Sequence, residues 1–436
     1  MKRDLKGRLF TVINRENNFI FNGSDTVELV NKYGTPLYVV SEDHIIDRCI
    51  EIKRSFLEKY ENTRAVYASK AFLTKEMCKI VSREGLGIDV VSGGEMYTAI
   101  KAGFPMENVI FHGNNKTIDE IELAIKSNVG RVVVDNLYEL ELLNALAAEE
   151  NKVMDILFRI TPGVDSYTHE YISTGQIDSK FGIPLKEEIL FEAIYMAMDM
   201  EYINLLGFHF HVGSQLFENT SHLMAVDILL ELIKDVKEKI GFETEELNVG
   251  GGFGIAYTKE DNPRGLSYFV DPIMEEIQNK CNEFDLKRPK VIIEPGRWII
   301  GEAGITLYTI GAIKEIPNVR TYIGIDGGLP DNPRPALYKA HYEAVIANKM
   351  NEEIVNKVTI AGKCCESGDI LIKDLEVPEI EPGDIIAVKS TGAYNYSMAS
   401  NYNMIPRPPV VMIKDGVDRL VVRRETYDDI LSREVI

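Results

Sequence analysis

Between Arg64 and about Gly304 the chain repeats one pattern: a short burst of apolar and β-branched residues, then a stretch with apolar residues at three- and four-residue spacing. The bursts lie at 65–68, 87–91, 109–111, 131–134, 154–160, 206–211, 247–249 and 291–294. A strand with one face in water alternates apolar and polar residues. A strand that is apolar throughout is covered on both faces, which marks a parallel sheet packed between helices. Eight such units over this span fit a (β/α)8 barrel, for which about 250 residues is typical. A doubly wound open sheet shares the strand pattern, and strand counting alone leaves it open.

After about Gly304 the pattern changes. Short strand-like runs at 322–325, 344–347, 358–361, 385–388, 409–413 and 419–423 are separated by Gly, Pro and Asp turns. This predicts a C-terminal, mostly antiparallel β domain. The first 35 residues, with a strand-like run at 9–13, hold no barrel unit and are expected to join it. The expected segments are therefore 1–35, 36–304 and 305–436.

The formal net charge of -20 argues against nucleic acid and anionic membranes as partners. Five cysteines at irregular spacing, without paired CxxC motifs, suggest neither a disulfide framework nor a metal site. Met1–Asp4 runs into polar sequence with no apolar leader core, and no apolar run reaches the roughly 20 residues that span a bilayer. A cytoplasmic location is the expectation.

Chemistry in a barrel gathers at the C-terminal ends of its strands. Lys70 follows the first burst, Asp89 lies in the second and His112 ends the third. His209 and His211 end the sixth, Gly250, Gly251 and Gly252 end the seventh, and Glu294 to Arg297 end the eighth. A lone strand-end lysine usually just reaches solvent; in a partly desolvated pocket it becomes a Schiff-base nucleophile. The glycine run reads either as a tight turn or as backbone N–H groups around a phosphate. Glu294 could simply pair with Arg297, or it could face a pyridine nitrogen and keep it protonated. His211 is either a satisfied core histidine or a ring stacked on a cofactor, with Ser214 nearby to donate to phosphate.

The β domain adds Arg334, held between two prolines and suited to a bidentate grip on a carboxylate. Cys365 and Glu366 combine a possible general acid with a carboxylate for a substrate ammonium. Tyr394 supplies a phenol near a turn, or merely a packed aromatic.

Together these motifs resemble the fold-type III pyridoxal-phosphate enzymes, and among them the diaminopimelate decarboxylases. The ordered series comprises YASKAF (67–72), GLGIDVVSGGE (85–95), FHGNNKT (111–117), STGQIDSKFGI (173–183), FHVGSQ (210–215), NVGGGFG (248–254), EPGR (294–297), NPRPALY (332–338), CESGD (365–369) and GAYNYSMASNYN (392–403). The first motif often has valine before the lysine and asparagine after the alanine, where Ser69 and Phe72 stand here. The resemblance implies an alanine-racemase-like barrel with a β domain, pyridoxal 5'-phosphate as cofactor and a homodimer with its active site at the interface. It also implies decarboxylation of meso-2,6-diaminopimelate to L-lysine. Lys70 would carry the cofactor and His211 would stack on it. Asp89, Ser214, Gly251, Gly252, Glu294, Gly296, Arg297 and Tyr394 would complete its site. Arg297, Arg334, Tyr338, Glu366 and Tyr394 would contact substrate, and Cys365 would donate a proton in the partner subunit's site. A relative acting on ornithine, lysine, arginine or carboxynorspermidine, or a cofactor-binding regulator without turnover, remains as an alternative.

Overall fold

A computed structural model describes residues 12–13, 17–164 and 178–435. Parts of the expected run at 9–13 and of the 173–183 motif lie outside the described residues. The chain divides into two compact units.

The first unit comprises Arg48–Ile255 and Asn262–Trp298. Each of the eight bursts forms or overlaps a strand: β1 (Thr63–Ala68), β2 (Gly87–Val90), β3 (Val109–Phe111), β4 (Arg131–Val134), β5 (Met154–Thr161), β6 (Ile203–His209), β7 (Glu246–Asn248) and β8 (Lys290–Ile293). Every neighbouring pair is parallel, and β8 pairs with β1, so the sheet closes on itself. That closure decides for the barrel over the open sheet. Val66, Ile110, Val133, Leu157, Leu206 and Ile292, from six of the strands, meet in one buried cluster.

Side-chain caps keep several loops after the strands short. Thr74, Ser92, Thr117 and Asn136 each accept a hydrogen bond from the first turn of the following helix, with Glu120 completing a capping box at Thr117. Such caps satisfy orphan backbone donors and set where each helix begins. In β6 the register slips between Leu205 and Gly207. Gly207 packs so closely that a Cβ would lie 2.0 Å from the Glu246 carbonyl oxygen. The extra residue changes which face each following side chain takes, and so sets the phase of His209.

The second unit comprises residues up to Asp47, Ala256–Asp261 and Ile299–Ile436. Its main sheet runs, in spatial order, through Ile370–Val377, Asn356–Ala361, Arg320–Ile325, Gly304–Ile316, Leu37–Ser41, Val410–Lys414 and Val417–Val422. Ile385–Val388 also pairs with Gly304–Ile316. Most pairings are antiparallel, while Leu37–Ser41 runs parallel to Val410–Lys414. Its core gathers Leu37, Val39, Leu307, Ala387, Val411 and Ile413.

Candidate functional site

Three strand-end residues, His112, His209 and Asn248, converge on one carboxylate. Glu294, the residue after β8, is buried, and its Oε1 accepts from His112 Nε2 at 2.8 Å and Asn248 Nδ2 at 2.7 Å. His209 Nε2 lies 3.3 Å from Oε2, and the two histidine rings meet edge to face at 4.8 Å. Burial lowers both histidine pKa values, that of His209 to about 4, against the pull of Glu294. Both rings are therefore neutral near pH 7, with their single proton on Nε2, where the carboxylate accepts it. Burial alone would raise the Glu294 pKa, but His112 and His209 bring it well below the usual carboxylate range.

Asp89, in β2, behaves oppositely. Burial, then repulsion by Glu294, raises its pKa well above the usual value, although Lys70 pulls the other way. Two buried carboxylates on one rim are thus pushed in opposite directions, Glu294 toward the ionised form and Asp89 toward the protonated one. Asp89 Oδ1 accepts from the Ser69 N–H at 3.2 Å, in the 3-10 turn Ser69–Ala71 that carries Lys70. The Tyr67 hydroxyl braces the same turn by donating to the Phe72 carbonyl at 2.7 Å. Lys70 itself is exposed in the single chain.

On the other side of the rim, Ser214 Oγ accepts from Arg297 Nε at 3.3 Å and Nη2 at 3.0 Å. His211 Nδ1 accepts from the Gly251 N–H at 3.4 Å, and burial, then the Lys70 charge, takes the His211 pKa well below its usual value. Glycine at 250–252 is required first by packing. A Cβ at Gly251 would lie 2.1 Å from the Glu294 carbonyl oxygen, and one at Gly252 would lie 2.2 Å from that of Gly213. Gly250 directs its N–H at Asn248 Oδ1 at 3.0 Å, so two of the three N–H groups expected to ring a phosphate meet protein acceptors. Gly296 abuts β1, where a Cβ would lie 2.8 Å from that of Ala68.

Asn248 and Arg159 were not foreseen. Asn248 ends β7, so the strand-end rule applied to every polar residue would have found it. Arg159 lies within β5, over the Phe181 ring at 4.2 Å and 4.0 Å from Asp135 Oδ1. His112, His209 and Glu294 also offer three ligand atoms within 4.8 Å of one another, but their mutual hydrogen bonds already satisfy the Glu294 carboxylate.

In the second unit, Arg334 opens the short helix Arg334–Tyr338 and is buried. Its Nη1 donates to the Tyr342 hydroxyl at 2.5 Å, and its guanidinium lies 4.7 Å from the Tyr257 ring centroid. Tyr338 and Tyr394 are half-buried, the latter in a left-handed backbone conformation at φ 61°. Cys365 and Glu366 are exposed, and the Cys365 N–H donates to Asn403 Oδ1 at 3.0 Å. All five cysteines are free thiols.

Residues 42–301 match the family model for the pyridoxal binding domain of pyridoxal-dependent decarboxylases. The chain is 49% identical over 423 residues to the diaminopimelate decarboxylase of Halalkalibacterium halodurans, covering 97% of this chain and 96% of that protein. It is 46% identical over 422 residues to the one of Bacillus subtilis, with 97% and 96% covered. The crystal structure of diaminopimelate decarboxylase from M. jannaschii in co-complex with L-lysine superposes with a TM-score of 0.91 at 36% identity, over 98% of both chains.

Proposed function

This chain belongs to the pyridoxal-dependent decarboxylases, and from that premise we propose how its residues decarboxylate meso-2,6-diaminopimelate to L-lysine and carbon dioxide. The observation that carries the reading is Glu294, a buried carboxylate whose pKa His112 and His209 bring well below the usual range and which also accepts from Asn248 at the strand ends. A carboxylate of that kind keeps a pyridine nitrogen protonated. That suits decarboxylation better than racemisation, because the ring then accepts the departing electron pair.

The residues present fit pyridoxal 5'-phosphate. One rim holds an amine on a braced turn, an ionised carboxylate, a neutral imidazole and a hydroxyl–guanidinium pair suited to a phosphate. Lys70 Nζ would carry the aldehyde carbon, Glu294 would face the ring nitrogen, and His211 would lie against the ring. Ser214, Gly251, Gly252, Gly296, Arg297 and Tyr394 would hold the phosphate end, with Asp89 steadying the Lys70 turn. When bound, the cofactor supplies an electron sink for the bond to the departing carboxylate.

The protein's own part is orientation and proton control. Asn248, His112 and His209 hold the Glu294 carboxylate in place, so that its charge stays directed at the ring nitrogen. Arg334, Tyr338 and Tyr394 would grip the distal carboxylate of the diacid, and Glu366 its distal ammonium, with Arg297 assisting. A substrate with two carboxylates needs such a second cationic contact, whereas ornithine does not. Cys365 Sγ would deliver a proton to the carbon from which carbon dioxide left. The family resemblance supports a homodimer in which this thiol serves the partner subunit's site, and a cytoplasmic setting suits free thiols. Among the described residues no helix is long and apolar enough to cross a membrane.

Carbon dioxide release measured with the three stereoisomers of diaminopimelate, and with ornithine, lysine and arginine, tests the reading. We expect release from the meso isomer with L-lysine as product. Release from ornithine and none from any diaminopimelate would overturn it.

A further inference from the structure

Asp369 closes the turn that carries Cys365 and Glu366, and its side chain is buried. Its carboxylate holds two different loops. Oδ2 accepts from the Cys364 N–H at 2.9 Å, and Oδ1 accepts from the Leu329 N–H at 2.7 Å. Leu329 belongs to the loop Gly327–Asn332, which leads into the helix opened by Arg334. Main-chain bonds reinforce the link. Lys363 donates to the Gly327 carbonyl at 3.0 Å, and Asp369 donates to the Glu366 carbonyl at 3.1 Å. Two glycines enclose the carboxylate so tightly that a Cβ would lie 2.5 Å (Gly328) or 2.2 Å (Gly362) from Oδ2.

We propose that Asp369 is a positioning residue that fixes the Cys365–Glu366 turn against the Arg334 loop, making proton delivery and substrate grip one rigid element. The inference rests on the roles given above to Arg334, Cys365 and Glu366. A carboxylate accepts from both N–H groups, whereas an amide offers one oxygen and turns an NH2 toward the second donor. Asp369→Asn therefore leaves a buried donor facing a donor, and the exposed turn loses its anchor.

The test uses full-length holoenzyme with meso-diaminopimelate, normalised to bound cofactor. The measurements are kcat, KM, the solvent deuterium isotope effect on kcat, and the absorbance of the bound cofactor. For Asp369→Asn we expect kcat to fall by roughly 10- to 100-fold, the scale of a misplacement of about 1 Å. KM and the isotope effect should rise, because grip and proton delivery both suffer, while cofactor absorbance stays unchanged. A merely structural role would reduce the amount of folded enzyme and leave KM and the isotope effect per loaded site as they were; that result overturns the proposal. Gly362→Ala, which displaces the carboxylate without removing it, should shift the same quantities in the same direction and decides the matter where Asp369→Asn does not fold. Cys365→Ala and Arg334→Gln separate the layers. If they are impaired while both clamp variants match wild type, the clamp fails and the site reading stands. If they too match wild type, the site reading fails and takes the clamp with it.

Discussion

In the barrel unit Glu294 is buried among two neutral histidines and an asparagine, and its pKa lies well below the usual range. In the β unit Asp331 is equally buried, yet burial, with repulsion from Asp369 and Asp326, raises its pKa to about 7 despite hydrogen bonds from Tyr308 and the Gly328 N–H. Desolvation acts in the same direction on both. The outcome turns on the neighbours: two imidazoles and an amide converge on Glu294, whereas Asp331 has acidic company. One region is arranged to keep a charge in a dry place, where it can act on a bound ring. The other is arranged to hold loops together near its own titration point.

The contrast can be broken most sharply on the barrel side. Lys70→Ala should lower carbon dioxide release by a factor on the order of 10⁴ or more, as expected when a covalent anchor is lost. The imine absorbance of the loaded enzyme should vanish with it, and retention of either would remove Lys70 from its role. On the β side, Cys365→Ala should lower kcat by roughly 10²- to 10⁴-fold, the usual worth of a positioned general acid. Cofactor absorbance should persist, since the barrel residues proposed to hold the ring are untouched; parallel loss of cofactor would contradict the division of labour.

A smaller effect probes the cage. Asn248→Ala removes one donor from an ionised group, worth about 1.5–3 kcal/mol for a hydrogen bond to charge. We expect kcat to fall by roughly 10- to 100-fold, since about 1.4 kcal/mol is tenfold. The bound-cofactor absorbance should also become more sensitive to alkaline pH, because Glu294 then holds the ring proton less firmly. An unchanged spectrum across pH would separate Asn248 from Glu294 function.

The smallest expected effect is on stability against pH, where the two regions have opposite signs. Asp331 has a folded pKa of about 7 against an ordinary 3.8, so the unfolded chain releases its proton first. Its contribution therefore falls as pH rises from about 4 to about 7 and is level above that. His209 has a folded pKa of about 4 against 6.5, so the unfolded chain takes up a proton first on acidification, and stability is lost as pH falls through that window. Thermal unfolding of Asp331→Asn across pH 4–8 should lack the downward Asp331 component. An unaltered pH slope would contradict the raised pKa.

Much of the barrel was legible because its signals are local. The eight apolar bursts each met a strand, and the strand-end rule picked out Lys70, Asp89, His112, His209 and Glu294 as neighbours on one rim. Asn248 ends β7 as the other site residues end their strands, but no local signal ties it to Glu294. Its hydrogen bond spans 46 residues to Glu294 and exists only when β7 lies beside β8. Asp369 ends the CESGD run, yet its two bonds cross 40 and 5 residues and show their purpose only when the loops meet. At Gly251 and Gly252 the fold supplies a second reason for glycine that local sequence does not carry, a close approach to the Glu294 and Gly213 carbonyls.

By itself the sequence determined the period and order of the elements, the caps that start several helices, and the residue types placed at strand ends, since these depend on neighbours a few positions apart. Only the tertiary structure decided that the parallel sheet closes, that Leu37–Ser41 joins strands from 304–307 and 410–413, and that Glu294 is ionised while Asp89 and Asp331 resist ionisation. The reason is physical. Strand pairing and pKa are set by groups distant in sequence, through hydrogen bonds and desolvation that do not exist until the chain has folded.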